Sequence, residues 1–448
     1  MNFMDMKKFI FFWLVLIPLS SWAQSLEELC KQRVDSNETP GIAVAIIEDG
    51  KSKFFYYGKS NLSTRESVTS KTLFEIGSVT KTFTCSVLSY LVQKNELALS
   101  DPAQKHLPSS ILLPEKNKKS ITLLHLASAH SGLPRMPGNF SPADQSNPYI
   151  DYTEKELTAY LNNCELKNEP GTTYEYSNLG MGLLGFILTQ QKNRPYSELI
   201  KEIILSPLGM NQTFINGLGS SKLLATGYRD TSPMKAWTWT NQSVLTGAGG
   251  IVSNAEDMLK FLVAQLNSDN STLTAAFKEA HKEQSEAGSP TMQIGLGWHI
   301  REHKYVWHNG GTGGFRSFVG FDPVKKRGIV ILTNSTTGAD DLGFHWLDES
   351  VPLKEIKMPV ALDPTVLKEY EGVYKINPTF KITITSKGKD LFLQSMSIPM
   401  VLIYAEAPDK FFFKTSDAKV IFKRGSNNQI EKLVLSQNGV EREGLKIQ

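Results

Sequence analysis

Two apolar runs, residues 42–47 and 54–57, flank the polar Glu48-Asp49-Gly50, a pattern that predicts a β-hairpin closed on an Asp-Gly turn. Residues 78–94 then carry apolar side chains at Val79, Phe83, Val87, Leu88, Leu91 and Val92, a helical spacing uninterrupted by Gly or Pro. This predicts a buried amphipathic helix. Residues 101–266 read as mostly helical, with Thr153 and Glu156 placed as a capping box and loops marked by Pro134, Pro137, Pro170-Gly171 and Pro207-Leu208-Gly209. Strand-like runs return at 298–300, 305–308, 315–321 and 328–333, joined by Gly and Asp-Pro turn chemistry. Hairpin, helices and meander together predict a mixed α/β (α+β) domain: one antiparallel sheet assembled from both ends of the domain, flanked by helices and holding an all-helical insertion.

The pattern changes towards both termini. Val351-Pro352, Met358-Pro359 and Asp363-Pro364 punctuate a stretch of little periodicity, so residues 349–364 are expected to be a linker. Beyond it, runs such as Lys381-Ile382-Thr383-Ile384-Thr385 and Phe411-Phe412-Phe413 alternate with turns at Gly388 and Asn438-Gly439, which predicts a small all-β barrel or sandwich over 365–448. At the start, Lys7 and Lys8 precede an eleven-residue run, 9–19, broken only by Pro18, and Ser21-Trp22-Ala23 offers small residues for cleavage. That is the pattern of a secretory signal peptide over residues 1–23. A helix of this length, at about 1.5 Å per residue, cannot cross roughly 30 Å of hydrocarbon. The main domain, 24–348, is therefore expected in a periplasmic or secreted protein with no stable membrane anchor after cleavage.

Composition narrows the functional classes. With 448 residues, 40% hydrophobic and 21% charged, the chain is of ordinary globular type with room for two to three domains. Its 48 Lys and Arg against 45 Asp and Glu give a net +3, too small and too scattered to steer it onto nucleic acid, so a small-molecule substrate is expected. Cys30, Cys85 and Cys164 permit at most one disulfide and show no C-x-x-C spacing; Cys85 is expected in the core. Spacing leaves open whether Cys30 and Cys164 pair. The eight histidines show neither H-E-x-x-H nor any cluster with cysteine, so neither a metal nor another cofactor is expected.

Three short motifs carry candidate chemistry. Ser78-Val79-Thr80-Lys81 is an S-x-x-K match, and so are Ser232 to Lys235, Ser386 to Lys389 and Ser416 to Lys419. Only at Ser78 do serine and lysine share one face of an apolar helix, with the hydroxyl at its N-terminus. A serine hydroxyl becomes a good nucleophile when a base takes its proton, and lysine serves once burial lowers its pKa. Tyr176-Ser177-Asn178 lies on a loop between Pro170-Gly171 and Gly180, where the phenol can relay a proton and the amide can hold both the lysine and a substrate carbonyl. The second Tyr-x-Asn, Tyr160-Leu161-Asn162, falls inside a predicted helix. His308-Asn309-Gly310 ends one strand and leads into Gly311-Thr312-Gly313-Gly314-Phe315, where backbone can approach a ligand closely. The N–H groups of Ser78 and Gly311 would form an oxyanion hole, with His308 assisting by charge or hydrogen bond. His125 and His130 are read as structural, while Trp237, Trp239 and Trp307 are candidates for a cleft wall or for core.

Thr72 to Thr84, reading T-L-F-E-I-G-S-V-T-K-T-F-T, closely resembles the active-serine segment of class C β-lactamases. Ser131-Gly132-Leu133-Pro134, Tyr176-Ser177-Asn178-Leu179-Gly180, Pro207-Leu208-Gly209-Met210 and the stretch from His308 to Phe315 resemble the same penicillin-binding superfamily, in order, over residues 35–345. The resemblance implies an acylated nucleophile at Ser78, a proton acceptor at Lys81, an acid and base at Tyr176, and a contact to substrate and lysine at Asn178. It implies a third motif at His308, Asn309 and Gly310 that lines the substrate. The implied reaction is hydrolysis of β-lactams through an acyl-enzyme. His308 departs from the lysine usual in class C enzymes and resembles D-Ala-D-Ala peptidases, D-aminopeptidases and esterases instead; an imidazole with pKa near 6.5 supplies only partial charge at neutral pH. The tail resembles a lipocalin-like domain appended to some of these peptidases. A non-turning-over binding protein for β-lactams or peptidoglycan fragments is the alternative of another class.

Overall fold

The computed structural model describes residues 25–215, 221–378, 380–395, 400–414, 416, 418–437 and 440–447; the expected leader, 1–23, lies outside them. The hairpin forms as the pattern predicts, Gly41–Glu48 pairing with Lys51–Gly58 across Asp49-Gly50. Gly41–Glu48 also pairs antiparallel with Arg327–Thr333, from the far end of the domain. The sheet then runs through Arg316–Asp322, Tyr305–Gly311, His299–Arg301, Met292–Ile294 and Ser285–Ser289, eight strands in all. The last two were not evident in the sequence because Ser285-Glu286-Ala287-Gly288-Ser289 has no apolar face.

Alternation sorts the strand residues between two cores. Ala43, Ala45, Val330, Leu332 and Val319 face the large helical layer, where Phe83, Leu88 and Phe261 are fully buried. Ile42, Val44, Ile329, Ile331 and Phe318 face the helices Leu26–Asp35 and Asp340–Leu347. With both faces covered, the central strands are apolar almost throughout, which explains why the hairpin and meander were legible as continuous runs.

Two expectations need correction. The helix predicted from Ser78 begins as an α-helix only at Thr80, running Thr80–Gln93, and Ser78 sits on a preceding 3-10 turn, Gly77–Val79. Gly77, at φ +50°, turns the chain out of the short strand Phe74–Glu75 and aims Ser78 into the cleft. The helix is also buried almost all round rather than amphipathic, because its hydroxyls are internally bonded: Thr82 to the Val79 carbonyl, Ser86 to Thr82, Ser89 to Ala276. Second, the region 101–266 is less helical than its pattern suggests. Its helices include Leu123–Ala127, Glu154–Leu161, Asn178–Lys192 and Ala255–Leu266, while 128–152 is an irregular loop that seats Phe140, Tyr149 and Tyr152 on one another. The Thr153 to Glu156 capping box is present. Pro134, Pro137, Pro142 and Pro148 break any helix across that loop.

After extended chain, the helix Pro364–Glu369 leads into a closed eight-stranded barrel from Gly372–Lys375 to Val440–Lys446. Tyr370, Tyr374, Phe411 and Phe422 pack edge-on and tilted against one another within it and fill the interior. The barrel is docked on the first domain by the Lys414 ammonium, which donates to the carbonyls of Ser36 and Asn37, and by the Tyr404 hydroxyl, which donates to Asp230.

Candidate active site

Chain geometry brings Ser78, Lys81, Tyr176 and Asn178 together at the N-terminal ends of two helices. Lys81 follows Ser78 by one turn and is buried. Asn178 opens the helix Asn178–Lys192, whose Ser177 cap accepts the Gly180 N–H. Lys81 Nζ lies 3.0 Å from Ser78 Oγ, 2.9 Å from Asn178 Oδ1 and 2.7 Å from the Ala248 carbonyl, which belongs to the turn Thr246–Ala248. Burial drives the Lys81 pKa well below the usual lysine value, and the charge of Arg135 adds to the effect. An amine in this position has two hydrogens for Asn178 and Ala248, so its lone pair is left facing the serine hydroxyl. Tyr176 is shifted the opposite way: burial raises its pKa, while a hydrogen bond with Ser78 and the charge of Arg135 oppose the rise. Burial thus favours the amine form of the lysine and the phenol form of the tyrosine.

The strand Tyr305–Gly311 closes the other side. Val306, His308 and Gly310 alternate towards the nucleophile helix, whereas Tyr305, Trp307 and Asn309 face the terminal helices. A Cβ on Gly310 would stand 1.9 Å from the Ile76 carbonyl, so only glycine lets the strand lie against the turn that carries Ser78. Thr312 N–H donates to the Phe315 carbonyl at 3.1 Å, which makes Gly311, opposite Arg316, a non-hydrogen-bonded pair with its N–H directed away from the neighbouring strand. A Cβ on Gly77 would lie 2.7 Å from that same nitrogen, so the Gly311 N–H borders the Ser78 turn.

His308 differs electrostatically from its expected role. It is buried, its Nδ1 donates to the Asn309 carbonyl at 2.6 Å, and burial together with His299 and Lys81 pushes its pKa well below the usual imidazole value. It therefore supplies no positive charge, and its Nε2 offers a lone pair rather than a proton. The Asn309 amide is turned away to Asp340, leaving only backbone at this position to meet a ligand. Trp307 packs on Phe318 and Phe344, on the face away from Ser78.

Several contributors escaped the sequence reading. His299, with its pKa lowered by burial to about 4, stands 5.0 Å from the His308 ring and 6.1 Å from Tyr176. Arg135 is exposed with its guanidinium 5.1 Å from the Tyr176 ring, and its carbonyl accepts the Asn178 N–H at 2.9 Å. Its signal was adjacency to Ser131-Gly132-Leu133-Pro134. Ala248 acts through a carbonyl and had no signal beyond the small-residue run around it. Tyr149 stacks on Trp239 and packs against Trp237, and Asn178 is close enough to oppose the burial-driven rise of the Tyr149 pKa, which places those tryptophans near the site.

Other expected residues have structural duties: His125 helps cap its own helix, and His130 bonds the Ser128 carbonyl. Cys85 is buried behind Lys81, and Cys30, Cys85 and Cys164 are all free thiols. Among the described residues no three metal-ligating side chains come together. Cavities of about 580 Å³ and 550 Å³ lie away from Ser78, one beside the 246–247 turn and one against the barrel. Converging polar groups, not size, mark the site.

The Beta-lactamase family model matches residues 26–349, and a domain of unknown function, DUF3471, matches 357–446. A β-lactamase of Pseudomonas fluorescens is 29% identical over 356 residues, spanning 68% of this chain and 93% of the relative. The D-alanyl-D-alanine-carboxypeptidase/endopeptidase AmpH of Escherichia coli (strain K12) is 28% identical, over 66% of this chain and 80% of that protein. Among solved structures, an octameric penicillin-binding protein homologue from Pyrococcus abyssi superposes with TM-score 0.63 at 23% identity, covering 93% of this chain and 99% of its own. Together with the serine-centred geometry, the match across most of the chain shows that it belongs to the β-lactamase family of serine hydrolases.

Proposed function

We propose that this protein opens β-lactams by acylation of Ser78 and hydrolysis of the acyl-enzyme. The observation that carries the proposal is the placement of Lys81 Nζ 3.0 Å from Ser78 Oγ, held there by the Asn178 and Ala248 acceptors in a buried setting that lowers its pKa. Lys81 takes the serine proton as Oγ attacks the carbonyl. The developing oxyanion is received by the N–H groups of Ser78 and Gly311. Tyr176, kept as a phenol, gives its proton to the departing nitrogen, and Asn178 holds the lysine while contacting the substrate. Water then attacks the ester with Tyr176 and Lys81 reversing their roles. His308 and Gly310 shape the strand side of the cleft, and Asn309 braces it through Asp340.

The neutral His308 favours a second reading on the same machinery: a D-Ala-D-Ala carboxypeptidase, D-aminopeptidase or esterase, in which a β-lactam acylates without fast release. The residue run 9–19 supports export with cleavage after Ala23, and no helix among the described residues is long and apolar enough to cross a membrane. Following free benzylpenicillin in excess over enzyme separates the readings. Many turnovers per protein would establish the lactamase. Loss of one equivalent followed by a stall would move the protein to the peptidase reading or to a binding protein without turnover.

A further inference from the structure

Substrates of this reaction class commonly carry carboxylates, yet the site lacks a cation on its strand side. His308 is neutral, and Lys81 is buried against three partners. Arg316 lies near Gly311, but its Nη1 is committed to the carbonyls of Thr312 and Phe315. Arg135 differs from all three. It is exposed, its guanidinium sits 5.1 Å from the Tyr176 ring centre, and no carboxylate among the described residues forms an ion pair with it. Its backbone is tied to the catalytic helix, because the Arg135 carbonyl accepts the N–H groups of both Asn178 and Leu179. The Arg135 backbone is therefore fixed beside the site while the guanidinium donors stay available.

We propose that Arg135 is a specificity-determining residue that receives a carboxylate of the substrate, making acyl donors that carry this charge the preferred class. A planar fork of donors beside an aromatic wall suits a carboxylate better than a point charge does. The wall is Tyr149, stacked at 4.6 Å on Trp239 and packed at 5.1 Å against Trp237. The charge of Arg135 is felt at Lys81, Tyr149, Tyr174 and Tyr176, which places it in the field of the whole reacting centre. The inference rests on the acyl-Ser78 reading.

The test compares acylation rate constants within matched pairs, using the full-length protein and its Arg135→Gln and Arg135→Lys variants. α-Carboxybenzylpenicillin against benzylpenicillin adds a carboxylate to the acyl side; benzylpenicillin against its methyl ester removes one from the leaving side. Ratios within a pair cancel any general effect of the arginine on Lys81 or Tyr176. Loss of a charge-assisted contact predicts a fall of about 10- to 100-fold in the anionic-to-neutral ratio for Arg135→Gln, in whichever pair the arginine serves, with partial rescue by Arg135→Lys. Raising salt should shrink the ratio in the unsubstituted protein. Unchanged ratios in both pairs would overturn the inference alone. A protein that a fluorophosphonate labels at Ser78 but no penicillin acylates would overturn the β-lactam reading and this inference with it.

Discussion

Gly310→Ala tests whether the contact between the strand and the Ser78 turn sets the reacting geometry. The new Cβ would lie 1.9 Å from the Ile76 carbonyl oxygen and 2.5 Å from Ser317 Oγ, where real contacts do not fall below 3.0 Å. Strand and turn must part by at least 3.0 − 1.9 = 1.1 Å, because the neighbour is backbone and has no flexible end to yield. That is the scale at which a misplaced reactive group costs about 100-fold in rate, or about 2.7 kcal/mol of barrier. Overpacking should also cost about 1–3 kcal/mol of stability. Gly311→Ala is the internal comparison: its Cβ would meet the Arg316 guanidinium 2.6 Å away, the far end of a long side chain that can shift at the cost of its bonds to the Thr312 and Phe315 carbonyls, so the loss should be smaller. The assay is the second-order rate of Ser78 labelling by a fluorophosphonate, with a thermal melt alongside. Labelling of Gly310→Ala within a few-fold of the unsubstituted protein would refute the geometric argument.

Lys81→Ala should lose about 10²- to 10⁴-fold in acylation, the contribution of a positioned base, and near-normal rates would remove the lysine from that role. With its pKa held well below 10.5, Lys81 should bring the labelling rate to a plateau at lower pH than an ordinary lysine; a rate still climbing through pH 10 would show an unperturbed group. Glu75, buried and accepting the Trp237 N–H, has its pKa raised by burial from 4.5 to about 7. Between those values the folded protein holds the proton more tightly than the unfolded chain, so stability from this group is present below pH 4.5 and lost as pH rises through 7, by about 3 kcal/mol. Glu75→Gln, which stays neutral, should therefore raise the melting temperature at pH 8 and leave it nearly unchanged at pH 4.5; equal shifts at both would contradict the titration. Removing residues after Asp363 should leave a first domain that still melts cooperatively, at a lower temperature because the Lys414 and Tyr404 contacts are gone. A broad, non-cooperative melt would show that the barrel is needed for folding.

What could be read from the sequence follows from how each feature is encoded. Strands buried on both faces are nearly continuous apolar runs, so the hairpin and meander were visible, while the polar edge strand Ser285–Ser289 was not. The helix after Ser78 was visible from Phe83, Val87 and Leu91, but its buried hydroxyls depend on carbonyl partners as distant as Ala276, which no local pattern records. Ser78, Lys81, Tyr176 and Asn178 are legible as candidates because side-chain chemistry needs particular residue types, and the fold brings them within hydrogen-bonding reach of one another. Ala248 was missed because its carbonyl is common to every residue. His308 was found by position, yet its charge state depends on burial by the fold and on His299, nine positions away across a strand pair.

Turnover as proposed passes through a covalent acyl group on Ser78. Intact-mass spectrometry after addition of benzylpenicillin, followed by peptide mapping of the quenched protein, tests it most directly. One added penicilloyl mass is expected on the peptide containing Ser78, and none in Ser78→Ala. An adduct on another residue, or one that survives in Ser78→Ala, would contradict it.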